Sequence, residues 1–380
     1  MFVCTLLTWS TLMTMLKRFP VVAVLLLAAA SVAAAPPPPA DHWTLADPAT
    51  HGLDPAKLRA MDAAISGGQA PDTTSVLVVH GGALVHEAYF NGADRNTLHN
   101  TRSLTKSVTA MLVGAAVDRG LISGVQAPVL GFFPDRHPAH PGAFKNAIDI
   151  EDLLTMSAQW ECDDNNEYSA GHEERMYVSA DWTGFTLDLP ERGYAPWMKR
   201  PADSPHGRAF AYCTANAFLL GAIVERASGM PLQRFAAEVL ERPLGIATSV
   251  WKRSSEGVGM GGGGTEYRSR DLAKLGQLII DEGRWDGRQV LPAAWTRAMT
   301  QVHAQTPFDA DYGYQIWRFP FSVGDKPVHA WAMSGNGGNA VFVVPEKQLV
   351  VVVTRTHFNQ RGMHQETQKL LQDYVLNALR

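Results

Sequence analysis

Two pairs of β-rich runs stand at opposite ends of this chain, and that placement limits its possible folds more than any other feature. Residues 75–79 (Ser-Val-Leu-Val-Val) and 83–90 flank the turn His80-Gly81-Gly82, and residues 339–344 and 348–354 flank Pro345-Glu346-Lys347. Each pair reads as a hairpin, because β-branched runs separated by a few turn residues fold back on themselves. Residues 312–319 supply a further strand. Between the ends, over residues 103–298, the pattern is helical with long loops; 272–281 shows clear helical periodicity, and 367–379 reads as a closing helix. Strands so far apart share one sheet only if the helices between them are set aside as a block. The expected fold is therefore α/β of the α+β kind. A mainly antiparallel sheet is built from residues 46–102 and 299–380 and flanked by terminal helices, with an inserted helical subdomain over 107–298.

The first 33 residues do not fit that plan. Lys17 and Arg18 precede an apolar run, 19–27, that passes into Ala, Ser and Val. Basic residues, a short apolar stretch and small residues at a cut follow the order of an export signal, with cleavage expected near Ala33. The run is shorter than the ~20 residues that span a bilayer, so no stable membrane anchor is expected after cleavage. Residues 34–45, with Pro36 to Pro39, then form a stiff Pro-rich tether, and residues 46–380 form the domain of a periplasmic or secreted protein. With 33 basic against 37 acidic residues and no basic run, no nucleic-acid partner is expected. Cys162 and Cys213 are the two cysteines beyond the signal. In an oxidising compartment they are either a bridge or two buried thiols, and spacing does not decide between them.

Three segments carry candidate chemistry. Ser103-Leu104-Thr105-Lys106 opens an apolar helical run, 107–117. A hydroxyl at a helix start meets the positive end of the dipole, which favours a developing alkoxide, and a Lys three residues on shares its face and relays its proton. Phe210-Ala211-Tyr212-Cys213-Thr214 precedes a second apolar helix, 215–224. A tyrosine serves as a base only beside a cation such as Lys106. Met333-Ser334-Gly335-Asn336-Gly337-Gly338 leads into the strand 339–344. Glycines beside an edge strand let backbone N–H groups approach a substrate, and one of them, paired with the N–H of Ser103, makes an oxyanion hole.

Other readings are weaker. The acidic stretch Asp163, Asp164, Glu167, Glu173, Glu174 and Asp181 lies in a long loop-rich region, either as a solvated face or as a site for a substrate amine. His172-Glu173-Glu174 lacks the second His of a zinc protease motif. No Gly-x-Ser-x-Gly elbow occurs, and the Gly261 to Gly264 run has neither the Gly-Lys-Ser/Thr ending of a Walker loop nor the preceding strand of a dinucleotide fingerprint.

Taken in order, the three segments resemble the serine β-lactamase and penicillin-binding-protein family, in its class C and esterase branch. The likeness covers most of the chain after the signal. It extends to Leu153-Leu154-Thr155-Met156-Ser157, to the Gly261 to Gly264 run followed by Ser269-Arg270-Asp271-Leu272-Ala273, and to Val344-Pro345-Glu346. The resemblance implies Ser103 as an acylated nucleophile, Lys106 as its partner and Tyr212 as the general base. It also implies the amides of Ser103 and Asn336 as oxyanion donors, with Ser334 and Gly335 beside the substrate. Two positions depart from the family pattern. Thr214 stands where Tyr-x-Asn places an amide toward the substrate's acyl side, and Met333 stands where the Lys of Lys-Thr-Gly helps hold a carboxylate. Efficient penicillin hydrolysis and D-Ala-D-Ala cleavage are thereby disfavoured, and the pattern looks like that of carboxylesterases and 6-aminohexanoate-dimer hydrolases. The implied protein is an exported serine hydrolase of a small ester, amide or short peptide-like substrate, with no metal or organic cofactor. The alternative is a penicillin-binding or sensor protein with slow or no turnover, or a weak β-lactamase.

Overall fold

The computed structural model describes residues 43, 45–194, 196, 197 and 209–380. The expected export signal over 1–33 lies outside the described residues, as does the 34–45 tether apart from Trp43 and Leu45. In chain order the strands are β1 (Thr73–His80), β2 (Ala83–Tyr89), β3 (Leu98–Asn100), β4 (Glu266–Arg268), β5 (Arg284–Trp285), β6 (Arg288–Gln289), β7 (Ala304–Gln305), β8 (Asp311–Tyr312), β9 (Trp317–Val323), β10 (Lys326–Gly335), β11 (Asn339–Val344) and β12 (Leu349–Arg355). The helices are α1 (Pro55–Ser66), α2 (Thr105–Asp118), α3 (Ala143–Ala147), α4 (Ile150–Leu154), α5 (Glu173–Tyr177), α6 (Trp182–Leu187), α7 (Thr214–Ser228), α8 (Leu232–Ala236), α9 (Ser269–Ile280), α10 (Ala293–Met299) and α11 (Met363–Lys369).

Eight strands form one sheet in the order β2-β1-β12-β11-β10-β9-β8-β7, and every pairing in it is antiparallel. The two ends of the chain meet one strand in from its β2 edge: Val76 pairs with Val353, Leu77 with Val352 and Val78 with Val351. Side chains alternate across a strand, so this register sorts the core into two layers. Val76, Val78, Phe342, Val351 and Val353 face α1 and the C-terminal helical turns, with Leu371, Val375 and Leu376. Leu77, Val79, Val341, Val343, Val350 and Val352 face the helical block. A strand covered on both faces needs no polar side, which is why residues 349–353 are apolar without a break.

Two expectations about strands are corrected. Residues 312–319 are not one strand: β8 ends at Tyr312 and β9 begins at Trp317, with Gln315 between them at φ +55°. The Met333-Ser334-Gly335 segment does not lie beside an edge strand. It ends β10, which is interior, between β11 and β9, and which the sequence pattern did not reveal. Pro327 near its start breaks the expected signature, and its ladder partner β9 itself carries a proline, Pro320, paired with His329.

α2 is buried from Thr105 to Ala116, as an apolar surface on all sides requires. It packs between α7 and the β10 side of the sheet, while α9 lies against β1, β11 and β12. The α9 contact is close: a Cβ at Gly276 would stand 2.5 Å from Val350 Cγ1 and 2.8 Å from Val341 Cγ1. Both neighbours are β-branched and stiff. Gly276→Ala is therefore expected to destabilise the fold by about 1–3 kcal/mol through overpacking, seen as a lowered Tm in scanning calorimetry. An unchanged Tm would show that α9 can lift from the sheet without cost.

Candidate active site

The segment before α2 is fixed from both sides. β3 pairs with β4, which brings Thr101 against Thr265; the Thr101 N–H and hydroxyl both donate to the Thr265 carbonyl at 2.9 Å. The Thr105 hydroxyl donates to Arg102 O at 2.7 Å, and Gly264 N–H donates to the same oxygen at 3.1 Å. Held in this way, Arg102 adopts φ +51°, an unfavourable value for a long side chain, and Ser103 is presented on a tight turn (Arg102–Leu104) leading into α2.

One helical turn on, Lys106 is 1% exposed. Its Nζ lies 2.9 Å from Ser103 Oγ, 2.6 Å from Gly262 O and 5.1 Å from the centroid of the Tyr212 ring. Sequence reasoning named Ser103, Lys106 and Tyr212 but not the Gly262 carbonyl. The glycine run was its signal, because backbone without side chains is what can press its carbonyls onto α2; Thr109 takes the Gly261 carbonyl in the same way at 2.7 Å. The Tyr212 ring stacks on Trp317 with centroids 5.6 Å apart, and its hydroxyl makes no hydrogen bond among the described residues.

The end of β10 closes on this turn. A Cβ at Gly335 would lie 2.1 Å from Thr101 O and 3.2 Å from Ser103 N, so only glycine permits the approach. Asn339 fixes the turn beyond it, donating from Nδ2 to Asn336 O at 2.8 Å and to Arg355 O at 3.0 Å. The Asn336 side chain faces Asn359, accepting from its N–H at 2.8 Å and donating to its Oδ1 at 2.6 Å. The backbone N–H groups of Ser103 and Asn336 donate to no described residue. Ser334, Gly335 and Asn336 line a cavity of about 410 Å³ together with Ser103 and Tyr212. Met333 is fully buried in the core instead.

Thr214 is also turned away from the cavity. It is 1% exposed, and its hydroxyl donates to Glu173 Oε2 at 3.0 Å while its N–H donates to Asp164 Oδ2 at 2.6 Å. Thr214 thus holds two carboxylates, and both Asp164 and Glu173 reach the cavity wall. Asp164 is further fixed by its N–H, which donates to Tyr212 O at 2.8 Å, and by Glu173 N–H, which donates to its Oδ1 at 3.0 Å. Cys162 and Cys213 are joined in a disulfide that ties the acidic loop to the residue after Tyr212. Burial, and after it the charge of Glu173, push the Asp164 carboxyl up to about 6. The rest of the acidic stretch behaves as a solvated face: Asp163 pairs with Arg192, Asp181 pairs with Arg136, and Glu167 and Glu174 are exposed.

Sequence reasoning gave no role to His364, on α11, whose Nδ1 lies 3.5 Å from Ser334 Oγ on the opposite wall. Burial, and then the charge of Arg355, hold its imidazole below the ordinary histidine range. Lys106 is therefore the cation nearest the reacting groups, faced by Asp164 and Glu173. Among the described residues no group of His, Cys, Asp or Glu is placed to hold a metal ion, and no helix is long and apolar enough to cross a membrane.

This sheet, flanked by terminal helices and carrying a helical block, is the architecture of penicillin-binding-protein homologues. The solved homologue from Caulobacter crescentus superposes with a TM-score of 0.60 at 18% identity, over 86% of this chain and 99% of that one. The chain belongs to the beta-lactamase family, whose model matches residues 61–374. Among curated proteins it is similar to the 6-aminohexanoate-dimer hydrolase of Paenarthrobacter ureafaciens, 28% identical over 60% of this chain and 57% of the relative. It is also similar to esterase EstB of Burkholderia gladioli, 28% identical over 53% of each. The chain thus spans little more than half the length of the curated relatives it matches.

Because Glu173 is the second cause of the raised Asp164 value, Glu173→Gln is expected to bring the Asp164 midpoint down from about 6 toward the usual carboxylate range. Carboxyl-carbon NMR titration reads this directly. An unmoved midpoint would assign the whole effect to burial.

Proposed function

We propose that this chain is a serine hydrolase that cleaves a small carboxylic ester or amide through an acyl-enzyme on Ser103. One observation carries the reading. Ser103 Oγ sits 2.9 Å from a buried lysine Nζ, and its own N–H and that of Asn336, a residue lining the same cavity, have no acceptor among the described residues. In this mechanism Ser103 Oγ attacks the carbonyl carbon and its proton passes to the Tyr212 oxygen, with Lys106 as the relay. The two N–H groups receive the oxyanion of the tetrahedral intermediate, where such donors are worth several kcal/mol. Collapse breaks the bond to the alcohol or amine, which leaves with the proton. Water then enters by the same route, in reverse, to release the acid and restore Ser103.

The ester or amide preference is supported by the similar proteins, an esterase and an amide-dimer hydrolase, and by the charges of the cavity. Met333 offers no cation to a substrate carboxylate, and Asp164 and Glu173 repel one. A substrate whose remote part is neutral or an ammonium suits this wall better than a β-lactam acid. Export belongs to the same reading: the basic, apolar and small-residue order of residues 1–33 supports a cleaved signal, a 34–45 tether and a periplasmic or secreted domain over 46–380.

Ser103→Ala is expected to abolish hydrolysis of a chromogenic short-chain ester while circular dichroism stays native; undiminished turnover would sink the assignment. With the wild type, a fluorophosphonate should add to Ser103, and mass spectrometry should show an acyl adduct from an ester that decays with product. An ester or penicillin adduct that persists without product would point to the sensor alternative. Tyr212→Phe is expected to lower turnover by roughly 10²–10⁴-fold. A mild loss would move the base role to Lys106.

A further inference from the structure

The cavity has a second wall that the proposed chemistry leaves unused. Tyr212 stacks on Trp317, and from Trp317 the ring contacts continue to Phe308, edge-on at 6.0 Å, and to Phe319, stacked at 6.1 Å. Trp317 and Phe319 are two residues apart on β9 and so share one face of the strand. All four rings line the cavity that contains Ser103. Phe308 is the outermost and is 49% exposed.

An exposed aromatic on a loose loop would mean little, but this one is held. The Thr306 hydroxyl donates to Ala310 O at 2.5 Å, Phe308 N–H donates to the Thr306 oxygen at 3.2 Å, and Ala310 N–H donates to Phe308 O at 2.7 Å. The turn between β7 and β8 therefore presents the ring rather than letting it fold into the core. A fixed apolar surface, in the same cavity as Ser103 and two ring contacts from Tyr212, is the form taken by a specificity subsite: concave and mostly apolar, with a few polar groups that fix orientation. Asp164 is held by the backbone of Tyr212 and the rings by its phenol face, so the two groups of lining residues offer the two ends of a substrate different polarity.

We infer that Phe308, Trp317 and Phe319 form a subsite for a flat or extended apolar group, and that the acyl part of the substrate is an aryl-alkyl or medium-chain acid rather than acetyl. This rests on the hydrolase reading above and deepens it. The experiment compares 4-nitrophenyl acetate with 4-nitrophenyl phenylacetate, in the wild type and in Phe308→Ala. The wild type is expected to favour the phenylacetyl ester in kcat/KM, and Phe308→Ala to reduce that preference by roughly tenfold, mainly through KM, as a lost apolar contact in a pocket does. Phe308→Leu should keep most of the preference. A preference ratio unchanged in Phe308→Ala overturns the subsite. A parallel measurement separates this failure from failure of the hydrolase reading: saturation-transfer NMR of 2-phenylethanol on Ser103→Ala protein, with and without Phe308→Ala. Aryl saturation that is lost with Phe308 supports the subsite even if no ester is hydrolysed. Saturation indifferent to Phe308 overturns it.

Discussion

The contact between Gly335 and the backbone at Thr101 and Ser103 governs this structure. It joins an interior strand to the start of a buried helix, with no side chain between them. From it follows the placing of Ser334 and Asn336 on the same cavity wall as Ser103. The tension in Arg102 belongs to the same arrangement. A residue with φ +51° persists only where neighbours outweigh it, and here Thr105, Gly264 and the β3–β4 pair do so.

Around that contact the charges are unequally placed. Lys106 is enclosed by Ser103, the Gly262 carbonyl and the Tyr212 ring, whereas the carboxylates stand at the cavity margin. Burial and the charge of Arg355 favour the neutral form of His364, which stands 3.5 Å from the Ser334 hydroxyl. The result is a site whose positive charge serves the proposed nucleophile and whose negative charge faces the substrate. That polarity distinguishes it from a site built to hold an acid.

Much of the fold was legible because its signals are local. The β1–β2 and β11–β12 hairpins announce themselves through β-branched runs and turn residues, and α9 through its periodicity. β10 was hidden, since its meaning depends on partners on both sides and its own residues mix Pro, His and Trp with the Ser-Gly end. The site divides in the same way. Ser103 and Lys106 are one helical turn apart, so their approach is written in spacing alone. Asp164, Glu173, Phe308 and Trp317 come together only through the disulfide, the buried Thr214 and the β7–β8 turn, contacts that no local pattern encodes. Thr214 shows the limit of reasoning by position. The resemblance points it toward a substrate, yet its short side chain turns to the carboxylates, away from the cavity.

The Cys162–Cys213 bond adds a dependence of another kind. It closes a segment with a sequence separation of 51 residues, which in chain-entropy terms removes roughly 4 kcal/mol of freedom from the unfolded state. Its ends lie two residues before Asp164 and one after Tyr212. A covalent link thus joins the hydrogen bonds of Asp164 in holding the charged wall against the Tyr212 segment. Such bonds last where thiols are oxidised and are undone where they are kept reduced. The same polypeptide made in the two settings would share every residue but not this tie, so the cavity wall carries an imprint of the redox conditions under which the chain matured.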